Sequence, residues 1–561
     1  MEQSLKPKFL SVLQEGYSKQ KFFNDLAAGI IVGIVSFPMA IAFGIGSGVR
    51  PEQGLYTAII AGFLTSLFGG SRVQIGGPTG AFVVLLASIM AQFGYDGLAV
   101  ITLMAGIILV LVGISRLGFI IKFIPYPVIV GFTSGIAVII FSSQIADLFD
   151  LQIPAVPAEF IAKWSSYAQY AHTLNWYAGG LGILAIAIIV VWPRISQKIP
   201  GSLVALMATT GLSWFFKLPV STIGSRFGEI PNSLALPHLP TVAWAQLPHF
   251  IQPAITVALL AGIESLLSAI VADGMLGTRH RSNMELVAHG IANIGSSLFG
   301  GIPSTGAIAR TATNIKNGGR TPVAGMISAA TILVIMVFVG KLIALVPMSA
   351  LSAVLIVVAY NMSEWRHFVT LFRSPKSDLL VLLITFLLTI FTDITKALEV
   401  GVVLSALLFV QRMAEATKIA SLKESMQEEE DPNDPLRKEL RHLQLNPDIE
   451  IFEVQGPFFF AATEKFKLTL KRINRHPKVL ILHMYRVPAI DASGLQVLED
   501  MLHKTRAEKT ELLISGASSE TLCVLKNAGF VHEIGAQNMF KTLDEALEKA
   551  NKLIEPNKQT A

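Results

Sequence analysis

The sequence predicts a polytopic α-helical membrane domain followed by a small soluble α/β domain. Of its 561 residues, 52% are hydrophobic and only 15% are charged, whereas soluble domains have about 25% charged residues. Charged residues are sparse between positions 26 and 410 and dense from position 414 onward. A short glycine- and proline-rich pattern also occurs twice in the apolar part. We therefore expect a membrane domain built from two related halves.

The apolar segments suggest fourteen membrane elements, arranged as seven plus seven. An even number of elements places both termini on the same side of the membrane. The gaps on that side contain more basic residues than the others, which indicates that it is the cytoplasmic side. Residues 1–25 contain no apolar core of signal-peptide length, so we expect no cleaved signal. The segments lie near residues 26–46, 53–69, 78–91, 97–113, 127–146, 176–192, 202–218, 253–273, 286–299, 305–314, 322–345, 349–360, 378–392 and 397–411.

The C-terminal part has the alternating pattern of an α/β domain. Strands are predicted at "IEIFEVQG", "KVLILHMY" and "TELLISG", and helices at "ATEKFKLTLKRI", "GLQVLEDMLHKTRA", "SSETLCVLKNAG" and "TLDEALEKANKLI". An acidic stretch, "KESMQEEEDPNDP", precedes them. We predict a cytoplasmic N-terminal segment at 1–25, a transport domain at 26–412, a linker at 413–447 and the soluble domain at 448–556.

The repeated pattern reads "FGGSRVQIGGPTGA" at residues 68–81 and "FGGIPSTGA" at residues 299–307. Both copies begin with Phe-Gly-Gly and end with Thr-Gly-Ala. The apolar segments that follow, 78–91 and 305–314, are shorter than the roughly 20 residues that a spanning helix needs. Because Pro78 and Pro303 end a preceding helix and favour the start of a new one, we expect two broken helices at membrane depth.

A helix that begins inside the membrane presents free N–H groups and a partial positive charge to an anion. We expect each helix to start just after its proline, with Thr79, Ser304 and Thr305 as possible N-caps. Matched broken helices in two halves indicate a transporter binding site, and halves of seven elements run in opposite directions. The alternative interpretation is that the glycines serve only close helix packing.

Two charges lie in otherwise apolar segments. Glu264 is the ionisable residue of "PAITVALLAGIESLLSAIVA", with Ser268 one turn away. Arg310 is the charge of "STGAIARTATN" and can hold an anion with a fork of hydrogen bonds. Charges at such depth are costly and usually functional. A structural ion pair between Glu264 and Arg310 is the alternative, and a pair that opens on substrate binding would reconcile both interpretations.

Other chemistry is not indicated by the sequence. We interpret His289 and Asn293, one turn apart, as an interhelical hydrogen bond. No metal cluster, nucleophilic triad or nucleotide-binding loop is present, so we expect neither an enzyme nor a cofactor. Basic residues lie between apolar segments rather than in one patch, so no nucleic-acid partner is expected. The single cysteine, Cys523, excludes an internal disulfide.

The segments "GGPTGAF", Gly262–Gly325 and "AIDASGLQVLEDM" resemble the sulfate permease family of anion transporters, and its bacterial members in particular. The resemblance covers nearly the whole chain. It implies an inner-membrane protein with a uracil-permease-like fold, in which elements one to four and eight to eleven form a core that moves against a gate. It also implies a homodimer, and an anion site between the third and tenth elements.

Carried over by motif, the resemblance assigns residues to this site. The substrate would be bound by Thr79, Gly80, Ala81, Thr305, Gly306, Ala307, Ile308 and Arg310. Glu264 and Ser268 match the acid and hydroxyl pair that binds sodium in bicarbonate-transporting members. Those members lack an arginine at the position of Arg310, so this sequence departs from their pattern.

With both Glu264 and Arg310 present, we expect proton-coupled transport of a small anion, in which protonation of Glu264 releases Arg310. The alternatives are sodium-coupled bicarbonate transport, an uncoupled anion channel or exchanger, and a receptor that signals through its soluble domain. That domain resembles the STAS fold, in which a serine at the position of Ser493 can be phosphorylated and which can bind cytosolic regulatory proteins. A second interpretation of Ser493 is the N-cap of the helix that follows Ala492.

Overall fold

A computed structural model describes most of the chain, and the chain divides into two compact units, Met1–Val403 and Leu404–Ala561. The described residues are 5–118, 125–154, 156–157, 159–196, 199–228, 231–241, 246–392, 394–421, 446–460, 463, 466 and 477–554.

The first unit is helical, and a helix lies in every apolar segment that the sequence predicts. Its first half contains α1 (Lys8–Gln14), α2 (Lys19–Gly46), α3 (Pro51–Phe68), the two-residue strand β1 (Gly76–Gly77), α4 (Gly80–Ile114), α5 (Tyr126–Leu148), α6 (Phe160–Gln169), α7 (Trp176–Val191), α8 (Gly201–Phe215) and α9 (Ile223–Phe227).

Its second half contains α10 (Leu247–Leu276), α11 (Ser282–Leu298), the two-residue strand β2 (Thr305–Gly306), α12 (Ile308–Lys316), α13 (Pro322–Ile343), α14 (Met348–Met362), α15 (Trp365–Leu371), α16 (Lys376–Phe391) and α17 (Ile394–Ala416), the last of which continues into the second unit. Within the described residues, eight helical stretches are long and apolar enough to cross a bilayer. The total of fourteen membrane elements stays a prediction.

Two predicted elements are continuous in the structure except for one residue. The segments 78–91 and 97–113 both fall in α4, which is interrupted at Gly94, where φ is 68° and ψ is −173°. The 14 residues before Gly94 span about 20 Å at 1.5 Å per residue, less than the roughly 30 Å of a bilayer core. The first part of α4 is therefore a half-length helix.

The helices pack as two groups, which we name the core group and the gate group after the expected subdomains. In the core group α2 packs on α13 and α4 packs on α11, and an ideally placed Cβ on Gly106 of α4 would lie 2.7 Å from the carbonyl oxygen of Gly290. In the gate group α5 packs on α14 and α16. Small residues at such crossings allow backbones to approach closely, which favours association of helices in lipid.

The two broken segments meet directly. Strands β1 and β2 pair antiparallel, with Gly76 opposite Gly306 and Gly77 opposite Thr305. This pairing satisfies backbone groups that would otherwise be unpaired at membrane depth. It also places the segments that lead into α4 and α12 beside each other within the core group.

The second unit contains a five-stranded sheet, which confirms the predicted α/β domain. Strand β3 (Lys418–Ser421) pairs antiparallel with β4 (Ile449–Gln455), and β4, β5 (Val479–Arg486), β6 (Glu511–Ser515) and β7 (Met539–Phe540) follow in parallel order. The helices are α18 (Ala492–Ala507), α19 (Ser519–Asn527), α20 (Phe530–Ile534) and α21 (Leu543–Ile554).

Each face of this sheet has its own apolar cluster. One contains Leu482 and Met501, and the other contains Ile481 and Leu547. The predicted linker at 413–447 includes the end of α17 and the edge strand β3, which the sequence did not indicate. Residues 422–445 of that linker and most of the helix predicted over 462–473 lie outside the described residues.

Candidate functional site

The first broken segment starts its helix where the sequence predicts. Thr79 is the N-cap of α4, with extended backbone angles of −129° and 159°. Its hydroxyl does not cap the helix, however, and instead donates to Oε2 of Glu264 over 3.0 Å. The N–H groups of Gly80 and Ala81 have no acceptor within the helix, because the first turn never provides one.

The second broken segment differs from the prediction. Helix α12 begins at Ile308 and its N-cap is Ala307, so neither Ser304 nor Thr305 is the N-cap. The physical reason is tertiary pairing. The N–H of Ser304 donates to Oδ1 of Asn293 over 2.8 Å, and Thr305 and Gly306 are held extended in β2.

The extended segment is fixed on α10 by Ser265, which the sequence analysis missed. The hydroxyl of Thr305 donates to the carbonyl oxygen of Ala261 over 3.1 Å and lies 2.9 Å from Oγ of Ser265. The N–H of Gly306 donates to the same Oγ over 3.1 Å. The one feature of the sequence that could have identified Ser265 is its position directly after Glu264.

Several of the predicted substrate-binding donors are engaged within the protein. The N–H of Ala307 donates to the carbonyl oxygen of Ile75 over 2.9 Å, and the donors of Thr305 and Gly306 are used as described above. Of the predicted residues in this segment, Ile308 has a first-turn N–H without an intrahelical acceptor, and it is 42% exposed. The second half therefore offers the start of α12 rather than the whole Thr305–Ile308 stretch.

Arg310 bridges the two halves. It is only 2% exposed, and its Nη2 donates to the carbonyl oxygen of Pro78 over 2.5 Å. The guanidinium lies against Gly77, where φ is +138° and an ideally placed Cβ would be 2.8 Å from Nη1. Glycine at this position thus allows both the backbone angle and the close approach of the cation.

Glu264 contacts the next residue of the same break, Thr79. It is half-buried and accepts the hydrogen bond from Thr79. Ser268 is fully buried, and its hydroxyl donates to Oγ1 of Thr311 over 3.3 Å. The carboxylate and the two hydroxyl groups at 268 and 311 supply oxygen atoms from α10 and α12. Across the described residues, no group of three or more His, Cys, Asp or Glu side chains could hold a metal ion.

The alternative interpretation, a structural ion pair between Glu264 and Arg310, is wrong for this structure. Among the described residues, the charged pairs within 4.0 Å do not include these two side chains. They bind adjacent residues instead, Arg310 at the Pro78 carbonyl and Glu264 at the Thr79 hydroxyl. The acid and the base are therefore connected through the first broken segment.

Helix α14 of the gate group contacts the start of α4. An ideally placed Cβ on Gly80 would lie 2.6 Å from Sδ of Met362 and 3.1 Å from Cγ1 of Val358, both of which belong to α14. The predicted anion site thus lies at the junction of the core and gate groups.

The predicted interhelical hydrogen bond of His289 and Asn293 is wrong in its partners, because Asn293 bonds to the extended segment before α12 and to the backbone of its own helix. The Nδ2 of Asn293 donates to the carbonyl oxygen of Ser304 over 3.0 Å and to that of His289 over 2.8 Å. Both side chains are fully buried. Asn293 therefore holds the second broken segment against α11 by bonds to both the N–H and the carbonyl oxygen of Ser304.

In the second unit, Ser493 is not the N-cap of α18. The N-cap is Asp491, whose Oδ1 accepts from the N–H of Gly494 over 2.8 Å. An aspartate accepts this bond at least as well as serine, so the alternative interpretation of Ser493 as a cap is wrong. Ser493 is half-buried in the first turn of the helix.

The fold has two packing groups, two broken segments that pair between the halves, and a buried arginine beside them. This combination places the chain in the class of membrane transporters. The chain matches the sulfate permease family over residues 22–385 and the STAS domain over residues 442–546. It belongs to the sulfate permease family of anion transporters. It is a multi-pass membrane protein, and its relatives are transporters rather than enzymes.

Individual relatives agree with this assignment. The chain is 40% identical to the putative sulfate transporter YvdB of Bacillus subtilis, over 95% of this chain and 98% of that protein. It is 28% identical to the bicarbonate transporter BicA of a Picosynechococcus strain, over 94% of each chain.

Solved structures share the fold. The murine anion transporter Slc26a9, in its inward-facing state, superposes with a TM-score of 0.86 at 19% identity and covers 98% of this chain and 94% of its own. The transmembrane domain of a cyanobacterial BicA superposes with a TM-score of 0.62 at 30% identity, covering 68% of this chain and 98% of its own.

Proposed function

We propose that the protein takes up a small oxyanion together with protons by alternating access. The observation that carries the proposal is the bracketing of Pro78 and Thr79 by a buried arginine and a carboxylate. Arg310 and Glu264 contact neighbouring residues of one helix break. Binding of an anion to the arginine can therefore change the proton affinity of the carboxylate, and protonation of the carboxylate can change the anion affinity. This is the requirement for coupling an anion to a proton.

The anion would bind at the first-turn N–H groups of α4 and α12, with the guanidinium of Arg310 between them. Helix starts favour anions through their free N–H groups and dipoles, and a guanidinium adds charge-assisted hydrogen bonds. In the structure Nη2 of Arg310 donates to the Pro78 carbonyl oxygen. An arriving anion would replace that carbonyl, so binding would change the conformation of the break itself.

Protonation of Glu264 would favour anion binding. An ionised carboxylate beside the Thr79 hydroxyl repels a second anion nearby, whereas a neutral carboxyl group does not. Coupling would pass through Thr79 and Pro78 rather than through a direct ion pair, which revises the release step expected from the sequence. The fixed charge of Arg310 would take the role that a sodium ion has in an arginine-free site.

Two substrate classes fit this chemistry, sulfate-like inorganic anions and C4-dicarboxylates. The relationship to YvdB, a putative sulfate transporter, favours the inorganic oxyanion. We propose that the protein acts as a homodimer in the bacterial inner membrane, with both termini cytoplasmic. Its STAS domain would bind cytosolic regulatory proteins, and Ser493 is the proposed phosphorylation site.

The test is anion uptake by the purified full-length chain in proteoliposomes. Sulfate, bicarbonate and a C4-dicarboxylate are compared at two external pH values, with and without sodium. We expect sulfate-class or dicarboxylate uptake that increases at the lower pH and does not require sodium. Uptake that is independent of a proton gradient would contradict proton coupling.

The role of Glu264 is tested by Glu264→Gln, with Glu399→Gln as the matched control because Glu399 is exposed on α17. We expect Glu264→Gln to abolish the pH dependence of uptake while anion binding or exchange is partly retained. The control should behave as the wild type does. Unchanged pH dependence in Glu264→Gln would reject the coupling role.

Sodium-coupled bicarbonate transport is the second candidate. It is favoured by the relationship to BicA and by the oxygen atoms that Glu264 and Ser268 supply on one face of α10. In that case uptake of bicarbonate would require sodium, and Ser268→Ala would raise the sodium concentration needed for half-maximal uptake. The uptake panel separates the two candidates directly.

A further inference from the structure

A cavity lies between the core and gate groups, and Arg310 is not among its lining residues. It has a volume of about 590 Å³ and is lined by residues of α4 and α5, by residues 156, 157 and 159, by the start of α6, and by the end of α16. By the predicted topology this is the outer side of the membrane. A cavity at the junction of the two groups is expected to change size when the groups move.

The cavity follows α4 toward the predicted anion site. Its lining on this helix is Val84, Ala87, Ser88 and Ala91, a spacing of three and four residues that defines one face. Val84 is one turn beyond Gly80, about 6 Å along the helix axis at 1.5 Å per residue. The cavity therefore approaches to within about a turn of the first-turn N–H groups of α4.

One cationic side chain among the described residues lines this cavity. Lys163 on α6 is only 8% exposed, although lysine is rarely buried without a partner. Among the described residues, no hydrogen bond or ion pair within 4.0 Å is formed by its ammonium group. Burial lowers the pKa of Lys163, the direction expected when a charge is desolvated without a compensating anion.

The other lining groups are compatible with a small anion. Glu159, one turn before Lys163, also lines the cavity, but it is exposed and its carboxylate lies more than 4.0 Å from the ammonium group of Lys163. Hydroxyl groups come from Ser88, Thr389 and Thr392. The two threonine hydroxyls donate to carbonyl oxygens of their own helix, so the ammonium of Lys163 and the hydroxyl of Ser88 are the donors that this lining offers to a compact anion.

We propose that Lys163 and this cavity form an outer binding site for the transported oxyanion, which the anion occupies on its way between the outer solution and the start of α4. The inference rests on the proposed transport function and adds a second, weaker site to it. A lone ammonium in a partly closed cavity concentrates anions locally. Sequential sites that bind weakly allow an ion to arrive and also to leave.

The test measures the concentration dependence of anion uptake from the outer side by the full-length chain in oriented proteoliposomes. Lys163→Met removes the charge and keeps the length, Lys163→Arg keeps the charge, and Lys341→Met removes an exposed lysine that does not line the cavity. Focusing of this kind changes association by about 10-fold or more.

We expect Lys163→Met to raise KM for uptake from the outer side about 10-fold at low ionic strength, with KM from the cytoplasmic side unchanged. Lys163→Arg and Lys341→Met should resemble the wild type, and the defect should shrink as salt is added. Lys163→Cys provides a further check, because modification with a cationic aminoethyl reagent should restore uptake and an anionic reagent should not.

The outcomes separate this inference from the proposed function. If the wild type takes up sulfate and Lys163→Met has an unchanged KM, the outer site alone is overturned. The same conclusion follows if Lys163→Arg, at normal protein levels, raises KM as much as Lys163→Met does. Absence of uptake of every anion by the wild type would overturn the proposed function and, with it, the outer site.

Discussion

Gly77→Ala perturbs the site without removing any functional group. The φ of +138° at Gly77 is unfavourable for alanine, and such backbone strain costs about 1–3 kcal/mol. The new Cβ would lie 2.8 Å from Nη1 of Arg310, whereas non-bonded contacts of this kind prefer about 3.5–4.0 Å. The guanidinium must therefore move by about 1 Å, away from its position at the Pro78 carbonyl.

A displacement of about 1 Å at a reacting or binding centre can reduce its efficiency about 100-fold. We expect the uptake rate of Gly77→Ala, measured at anion concentrations below KM, to fall about 10- to 100-fold. Gly94→Ala is the matched control, because φ at Gly94 is +68° and an added Cβ would meet nothing within 4 Å. It introduces backbone strain without crowding Arg310, so its uptake should fall much less.

A double mutant shows whether the effect acts through Arg310. Residues in contact are expected to be non-additive, so Gly77→Ala should change the residual uptake of Arg310→Ala by less than about twofold. If Gly77→Ala transports as well as the wild type, or if its loss is the same with and without Arg310, the placement of the guanidinium against Gly77 is refuted.

Three further predictions concern stability. Asp25→Ala should lower the free energy of unfolding by about 2–4 kcal/mol, because donors of Tyr17 and of Thr321 at the start of α13 would lose the buried carboxylate that accepts from them. Thermal unfolding in detergent measures this, and a loss no larger than that of Asp25→Asn would contradict it. Asn293→Ala should cost about 2–4 kcal/mol in the same assay, because buried groups of Ser304 lose their partners, and an unchanged melting temperature would refute this role of Asn293. Burial lowers the pKa of His483 to about 4, and the neighbouring arginine at 486 adds a smaller effect in the same direction. Between about pH 6.5 and 4 the folded state therefore binds fewer protons than the unfolded state. The free energy of unfolding should fall as pH decreases through this range, by up to about 1.4 kcal/mol per pH unit. Hydrogen exchange of the β5 amides in the full-length chain, corrected for intrinsic rates, measures this, and His483→Gln should remove the dependence.

The sequence alone predicts the broken helix at Gly80 correctly, because Gly-Gly-Pro followed by Thr-Gly-Ala is a local signal for ending one helix and starting another. The pairing of the two halves is also indicated, since the same pattern recurs with a matching apolar context. These features depend on residues within a few positions of each other, which sequence patterns describe well.

The start of α12 at Ile308 was not predictable in the same way. It is delayed because Asn293 and strand β1 hold residues 304–306 extended, and both are distant in sequence. The absence of a direct Glu264–Arg310 pair has the same origin, since each side chain finds a partner on the Pro78–Thr79 break. Local rules identify which residues matter here, but tertiary hydrogen bonds decide which atoms they contact.

The central claim is that the starts of α4 and α12, together with Arg310, bind the transported anion. It is tested most directly by an electron cryo-microscopy structure of the full-length chain in lipid nanodiscs, with the anion that the uptake panel identifies at saturating concentration. We predict density for the anion beside the N–H groups of Gly80 and Ile308, in contact with the Arg310 guanidinium. Anion density elsewhere, with Arg310 still bound to the Pro78 carbonyl, would contradict the account.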